Sequence, residues 1–279
     1  ELKKAMHWQV IETTTMMVVG RQLKSTPFTE EDLVKMMMGV FKKYGLPKKR
    51  VVYDNGLMNG MRCQEFFAKV GVTAEPSKPY SPTDKAMRER MNRFQKDETD
   101  IYNENFVGAN HPTEGRHRSD KLSPELINEL FTETEKRYDD YFNGYYLDRP
   151  RKLGLQGVDE LRDNTGRVSI RQVWEYLWAQ HQMIAVDDIT LRYAYMKNDV
   201  VKSFENFYMT FKKELYMPTA PMSLVLNDPD YKYIVAYDPA DFNRIDLYAD
   251  QAILDKNTGE IWDRGQYVAT LESIQRLDA

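Results

Sequence analysis

The hydrophobic pattern of this chain changes character at about Val186, and that change limits the folds open to it. Up to that point apolar side chains recur mostly at helical spacing. Beyond it they fall into short runs of β type: LRYAYM, FYMTFKKELYM, YKYIVAYD, RIDLYA, QAILD and QYVAT. Turn sequences separate the runs, namely Asn227-Asp228-Pro229-Asp230, Asp238-Pro239-Ala240-Asp241 and Asn257-Thr258-Gly259. Short strands at regular intervals with turn signals between them predict a small barrel or sandwich. A chain of 279 residues is long enough for two cores. The pattern predicts an α/β domain over residues 1–185 and a small β-barrel domain over residues 186–279.

Within the first domain, residues 5–12 and 15–23 alternate loosely around Thr13-Thr14-Thr15 and predict a β-hairpin. Thr29 is a candidate N-cap, with Glu30, Glu31 and Asp32 where a helix dipole favours anions. Leu33, Met36, Met37, Val40, Phe41 and Tyr44 form the apolar stripe of that helix, and Gly45 and Pro47 end it. Val51, Val52 and Tyr53 predict a strand that ends at Asp54 and the turn pair Asn55-Gly56. A short helix over Met61 to Val70 follows, then a strand over Val72 to Ala74 and an extended loop from Glu75 to Thr83. Asp84 is a candidate N-cap for the next helix, residues 100–122 read as a polar loop, and Ser123-Pro124 and Ser169 each open a further helix.

The helix after Asp84 has two faces. Met87, Met91 and Phe94 make its packing stripe, while Lys85, Glu89, Asn92 and Lys96 lie opposite. On its own that second face reads as solvated, with Glu–Arg support along the helix. Beside Asp54 it reads as a catalytic carboxylate followed by phosphate-binding cations. A carboxylate at a strand end and another on a helix can supply the hard oxygen ligands that Mg²⁺ prefers. His111 and His117 lack a metal-binding spacing. Cys63, the single cysteine, excludes an internal disulfide framework and cysteine-rich zinc sites, and reads as a small buried side chain.

The net charge of −4 argues against indiscriminate nucleic-acid binding, yet basic residues cluster locally. The clusters are Lys42, Lys43, Lys48, Lys49 and Arg50; Lys85, Arg88, Arg90, Arg93 and Lys96; Arg116, His117, Arg118 and Lys121; and Arg149, Arg151 and Lys152. Each reads either as a solvated face or as part of a DNA surface. No apolar run is long enough to cross a membrane as a helix, so no membrane partner is expected. The N-terminus has no signal-peptide pattern and no initiator Met, so the chain is expected to begin inside a longer one, and the single cysteine leads us to expect a reducing cytoplasm.

Three pieces in order, Asp54-Asn55-Gly56, Lys78-Pro79-Tyr80-Ser81-Pro82 and Glu89-Arg90-Met91-Asn92-Arg93, resemble the catalytic core of the retroviral integrase and DDE transposase superfamily. Phe106-Val107-Gly108-Ala109-Asn110, the helices from Ser123 and Ser169, Asn143 and the terminal barrel extend the resemblance to phage Mu-type transposases over nearly the whole chain. The resemblance implies an RNase H-like mixed sheet with helices before the barrel. It implies DNA end cleavage and strand transfer by in-line phosphoryl transfer with two Mg²⁺ or Mn²⁺ ions. Asp54 and Glu89 would be catalytic metal ligands. Lys78, Arg93, Lys96, Arg116 and Arg118 would contact DNA.

Implied partners are double-stranded transposon-end and target DNA, further copies of the chain, and a target-selecting ATPase, in a bacterial or phage-infected cytoplasm. The family's first catalytic Asp has no match, because no Asp precedes Asp32 and Glu12 fits the wrong strand. That Asp is expected upstream of residue 1, which would leave this stretch with two of three ligands and inactive alone. A catalytically inactive DNA-bound structural or regulatory module is the alternative, and an RNase H-type nuclease is a third reading that the barrel and the Glu-Arg helix disfavour.

Overall fold

The computed structural model describes residues 6–15, 17–24, 26–54, 56–77, 125, 157–164, 166, 168–180, 184–203, 207–218, 228, 230–239, 241–254 and 259–274. The chain is mixed α/β and divides into two compact units, residues 1–186 and 187–279. The described residues contain four α-helices and a six-stranded, curled antiparallel sheet. The helix expected after Asp84 and the loop 100–122 lie outside them, as does the helix expected from Ser123 apart from Glu125, which is helical.

The first unit opens with the antiparallel hairpin β1 (Met6–Ile11) and β2 (Val18–Lys24). Its turn is held by Glu12, whose carboxylate accepts from the Thr14 and Thr15 amides and the Thr15 hydroxyl at 2.7–2.8 Å. Helix α1 (Glu30–Tyr44) starts as the sequence predicts. The Thr29 hydroxyl accepts from the Asp32 amide, and the Asp32 carboxylate accepts from the Thr29 amide, so two orphan donors are satisfied reciprocally. Gly45 ends the helix at φ 83°, a conformation that favours glycine.

Strand β3 (Val51–Tyr53) pairs in parallel with β4 (Ala74–Pro76), and helix α2 (Met61–Lys69) makes the crossover. A parallel pair needs such a crossover because the chain must return to its starting end. The strand expected over Val72 to Ala74 is displaced to Ala74–Pro76. The Val72 amide is taken by the Phe67 carbonyl at 2.9 Å, closing the end of α2 over Gly71 at φ 74°, so pairing begins only beyond it. Among the described residues the hairpin and the parallel pair are separate two-stranded sheets. Phe41 of α1 stacks on Phe66 of α2 at 5.9 Å and meets Phe67 edge-on at 6.4 Å, and these rings with Leu33 and Met37 form the buried centre. Helix α3 (Ile170–Gln180) is capped by Ser169 and Gln172, each side chain accepting from the other's amide.

The second unit begins with helix α4 (Asp188–Tyr195). The sequence reading of LRYAYM as a β run is wrong for Leu191 to Tyr195. Asp187 caps the Thr190 amide and hydroxyl at 2.7 Å, and Leu191, Ala194 and Tyr195 are buried at helical spacing. The sheet has the order β5 (Lys197–Lys202), β8 (Tyr233–Asp238), β9 (Asp241–Ala249), β12 (Tyr267–Ser273), β7 (Glu214–Pro218) and β6 (Met209–Phe211), every pair antiparallel. Strands β10 (Ile253–Leu254) and β11 (Ile261–Trp262) pair separately. Bulges in the β5–β8, β8–β9 and β9–β12 pairings bend the sheet into a half-barrel. Tyr216, Tyr233, Val235, Ile245, Leu247 and Leu271 fill its concave core.

Five successive residues of β9, Ile245 to Ala249, are buried, because both faces of the strand are covered. Ile245, Leu247 and Ala249 face the core, while Asp246 and Tyr248 meet α4 on the other side. The β6–β7 hairpin turns through Lys212 and Lys213 at φ 49° and 72°, where Asn and Gly are the usual choices. The Lys212 ammonium lies 4.2 Å from the ring centre of Tyr237 and 4.4 Å from that of Phe242. These cation–π contacts offset the strain of the turn.

Candidate functional site

Asp54 follows the last residue of β3 directly. The Ser77 amide donates to the Tyr53 carbonyl at 2.7 Å, which extends the parallel ladder one residue past β4. Asp54 and the buried Ser77 therefore leave the sheet at the same, carboxyl, end of two parallel strands. In open α/β sheets that end is where ligands bind. Asp54 is half-buried, and Lys78 to Pro82 follow Ser77 in the sequence.

The turn behind Asp54 is held from below. Tyr53 is buried, and its hydroxyl accepts from the Gln64 side-chain amide at 2.7 Å. The same amide group donates to the Met58 carbonyl at 2.8 Å, tying α2 to the short 3₁₀ turn Leu57–Asn59. Gly60 begins α2 with no side-chain cap of its own. Glu30 of α1 supplies one instead, accepting from the Arg62 amide at 2.9 Å, while the Arg62 guanidinium meets Glu31 at 3.0 Å. A Cβ at Gly60 would overlap the Glu30 carboxylate.

Gly60→Ala is thus expected to cost about 1 kcal/mol through loss of this cap, as is Glu30→Ala. The double variant should lose little more than either single one, since both remove one interaction. Urea unfolding of the three variants checks this, and additive losses would show that Glu30 does not cap α2.

Cys63 is buried, its thiol near the Glu30 carbonyl at 3.8 Å. Burial, with the Glu30 charge adding to it, pushes the thiol up to about 11, so it stays protonated and unreactive. Asp32 and Glu12, two of the acidic residues that precede Asp54, are both engaged. Asp32 holds the α1 cap and meets the Lys24 ammonium at 2.5 Å. Partial burial works against ionisation there, but the bonds from Lys24 and Thr29 prevail and hold the carboxyl below its usual range. Glu12 is spent on the hairpin turn.

Of the residues that the sequence assigns to the site, Asp54 alone is described. Glu89, Lys78, Arg93, Lys96, Arg116 and Arg118 lie outside the described residues. Among the described residues no three His, Cys, Asp or Glu side chains come together as a metal-binding group. Asp54 offers a hard oxygen donor, the ligand type that fits Mg²⁺ or Mn²⁺, and a full site needs further carboxylates. Gln64 and Ser77, which shape the surroundings of Asp54, carry no sequence signal of their own, because their parts depend on the fold of the β3–α2–β4 unit. Neither a family model nor a curated protein matches the sequence. No helix among the described residues is long and apolar enough to cross a membrane.

Proposed function

We propose that this chain is the core of a DDE-type transposase of the phage Mu kind, with an RNase H-like first domain, acting on double-stranded DNA as a multimer. The observation that supports the reading most directly is the position of Asp54 at the carboxyl end of a parallel strand pair, on a turn pinned by Gln64 and Tyr53. Asp54 and Glu89 would hold Mg²⁺ or Mn²⁺ through their carboxylate oxygens. When bound, two such ions supply Lewis-acid stabilisation of the attacking and leaving oxygens of an in-line phosphoryl displacement. Lys78, Arg93, Lys96, Arg116 and Arg118 hold DNA phosphates as charge partners. A target-selecting ATPase is the further partner of such an assembly.

Glu89→Gln is expected to abolish joining of short duplexes bearing a free 3′-OH into a supercoiled plasmid in Mg²⁺ or Mn²⁺. The assay uses the full protein, and circular dichroism should show an unchanged fold. Joining at the wild-type rate would remove Glu89 from the site. A second reading, a catalytically inactive DNA-bound module, draws on the engagement of Glu12 and Asp32, which leaves neither to serve as a third ligand. In that case the wild-type protein binds the duplexes without joining them.

A further inference from the structure

The end of α1 and the exposed side of α3 carry aromatic rings that the core does not absorb. Trp174 and Trp178 are one helical turn apart, and their indoles stack at 5.9 Å with an interplanar angle of 20°. Tyr44 meets Trp174 edge-on at 5.0 Å. The Trp178 N–H donates to the Tyr44 carbonyl at 3.3 Å, satisfying one of the carbonyls left over at the end of α1. This fixes the indole in place while leaving Trp178 43% exposed. A single exposed apolar side chain is ordinary, but an exposed indole held by a hydrogen bond and stacked on a second, half-buried indole is not.

Positive charge lies beside the rings. The Lys43 ammonium lies 4.9 Å from the Tyr44 ring centre. Lys48 and Lys49 are exposed on the loop after α1. That loop is tied to the chain that follows α3 by the antiparallel bridge between Leu46 and Ile184, with Tyr44 two residues before the bridge and Lys48 two residues after it. Arg50 is paired with Glu75 and so helps to anchor the loop. Glu175 is the single acidic residue of α3.

We propose that Tyr44, Trp174 and Trp178, with Lys43, Lys48 and Lys49, form a ledge for single-stranded DNA. Cations alone would suit any polyanion, and aromatic rings alone would suit many apolar partners. Only an unpaired nucleotide strand brings both a phosphate chain and free π-faces, since duplex bases already stack on one another. The choice of DNA over other strands rests on the transposase reading. The ledge itself rests on the rings and lysines alone.

The test is fluorescence anisotropy of labelled oligothymidylate with the full chain, in EDTA so that no metal contributes. The wild-type protein binds, and Trp178→Ala weakens binding about tenfold, the factor of one lost base–aromatic stack. Trp178→Phe keeps most of the affinity, and replacing Lys48 and Lys49 by Ser flattens the salt dependence. The proposal is overturned if the wild-type protein does not bind the oligonucleotide, or if Trp178→Ala binds as tightly with an unchanged circular dichroism spectrum. It is overturned too if sedimentation shows self-association that Trp178→Ala removes while oligonucleotide binding persists, because the ledge is then a contact between copies. Oligonucleotide binding is read in EDTA and DNA joining in Mg²⁺, so failure of the transposase reading and failure of the ledge give different results.

Discussion

Asp54→Asn is expected to lower DNA joining by more than about a hundredfold while the protein folds as before. Asn keeps the size of the side chain and one acceptor oxygen, so the turn after β3 can form. It removes the negative charge and one hard oxygen donor, on which the proposed divalent ion would depend. Even loss of a group that only orients a metal ligand costs about 10–100-fold, and loss of a ligand should cost more. Initial joining rates in Mg²⁺, with thermal melting as the control for folding, decide the matter. Equal rates for the variant and the wild-type protein would place the chemistry elsewhere. A melting temperature that falls together with the rate would mark Asp54 as part of the framework.

The second large effect is expected in the half-barrel. Asp246 is 1% exposed, and its carboxylate lies between Arg192 and Thr270. Arg192 Nη2 donates to Oδ1 at 2.7 Å and also sits 2.6 Å from Oδ2, where charge proximity replaces an aligned hydrogen bond. The Thr270 hydroxyl, itself paired with the Tyr267 hydroxyl at 2.8 Å, donates to Oδ1 at 2.6 Å. Burial nevertheless prevails over these partners and raises the Asp246 carboxyl above its usual range.

Arg192→Ala should therefore cost about 3 kcal/mol, because it leaves a buried charge unpaired. Asp246→Leu should cost less, since the Arg192 side chain is 32% exposed and can turn to water. The double variant Arg192→Met, Asp246→Leu should approach wild-type stability. Acid should partly rescue Arg192→Ala: a carboxyl raised in the folded state favours folding below its unfolded value, and that contribution is lost as pH rises through the folded value. Denaturant unfolding at neutral and acidic pH tests all four statements. A loss for Arg192→Ala below about 1 kcal/mol would show that water reaches Asp246.

Features set by neighbours in sequence were legible from the residues. Thr29, the acidic first turn, the apolar stripe and Gly45 define α1, and each acts within a turn of the helix. Ser169 does the same for α3, and Asn55-Gly56 marks the end of β3. Leu191 to Tyr195 misled because its apolar and aromatic residues suit either period, and the deciding group is the Asp187 cap just outside the run. The position of β4 depended on how α2 ends, a detail of three residues that no pattern resolves. At the candidate site, Asp54 could be placed at a strand end from sequence, whereas its support by Gln64 and Tyr53 required the fold. The Trp174–Trp178 ledge was hidden further still. The sequence marks only the start of α3 at Ser169, and the contacts among Tyr44, Trp174 and Trp178 appear only in the fold.

That contact has a bearing on how the chain is made. The bond from Trp178 to Tyr44 joins residues 134 positions apart, and the Leu46–Ile184 bridge reaches as far. Contacts of such long range form late, because a large loop must close before they repay its entropy. On the ribosome, α1 and α2 can pack as soon as residue 69 has emerged, but the face of α1 that carries Tyr44 must wait for α3. Until then the newly made unit shows an unfinished aromatic surface next to a row of lysines, and transiently exposed apolar surface of that kind makes a folding intermediate prone to aggregate.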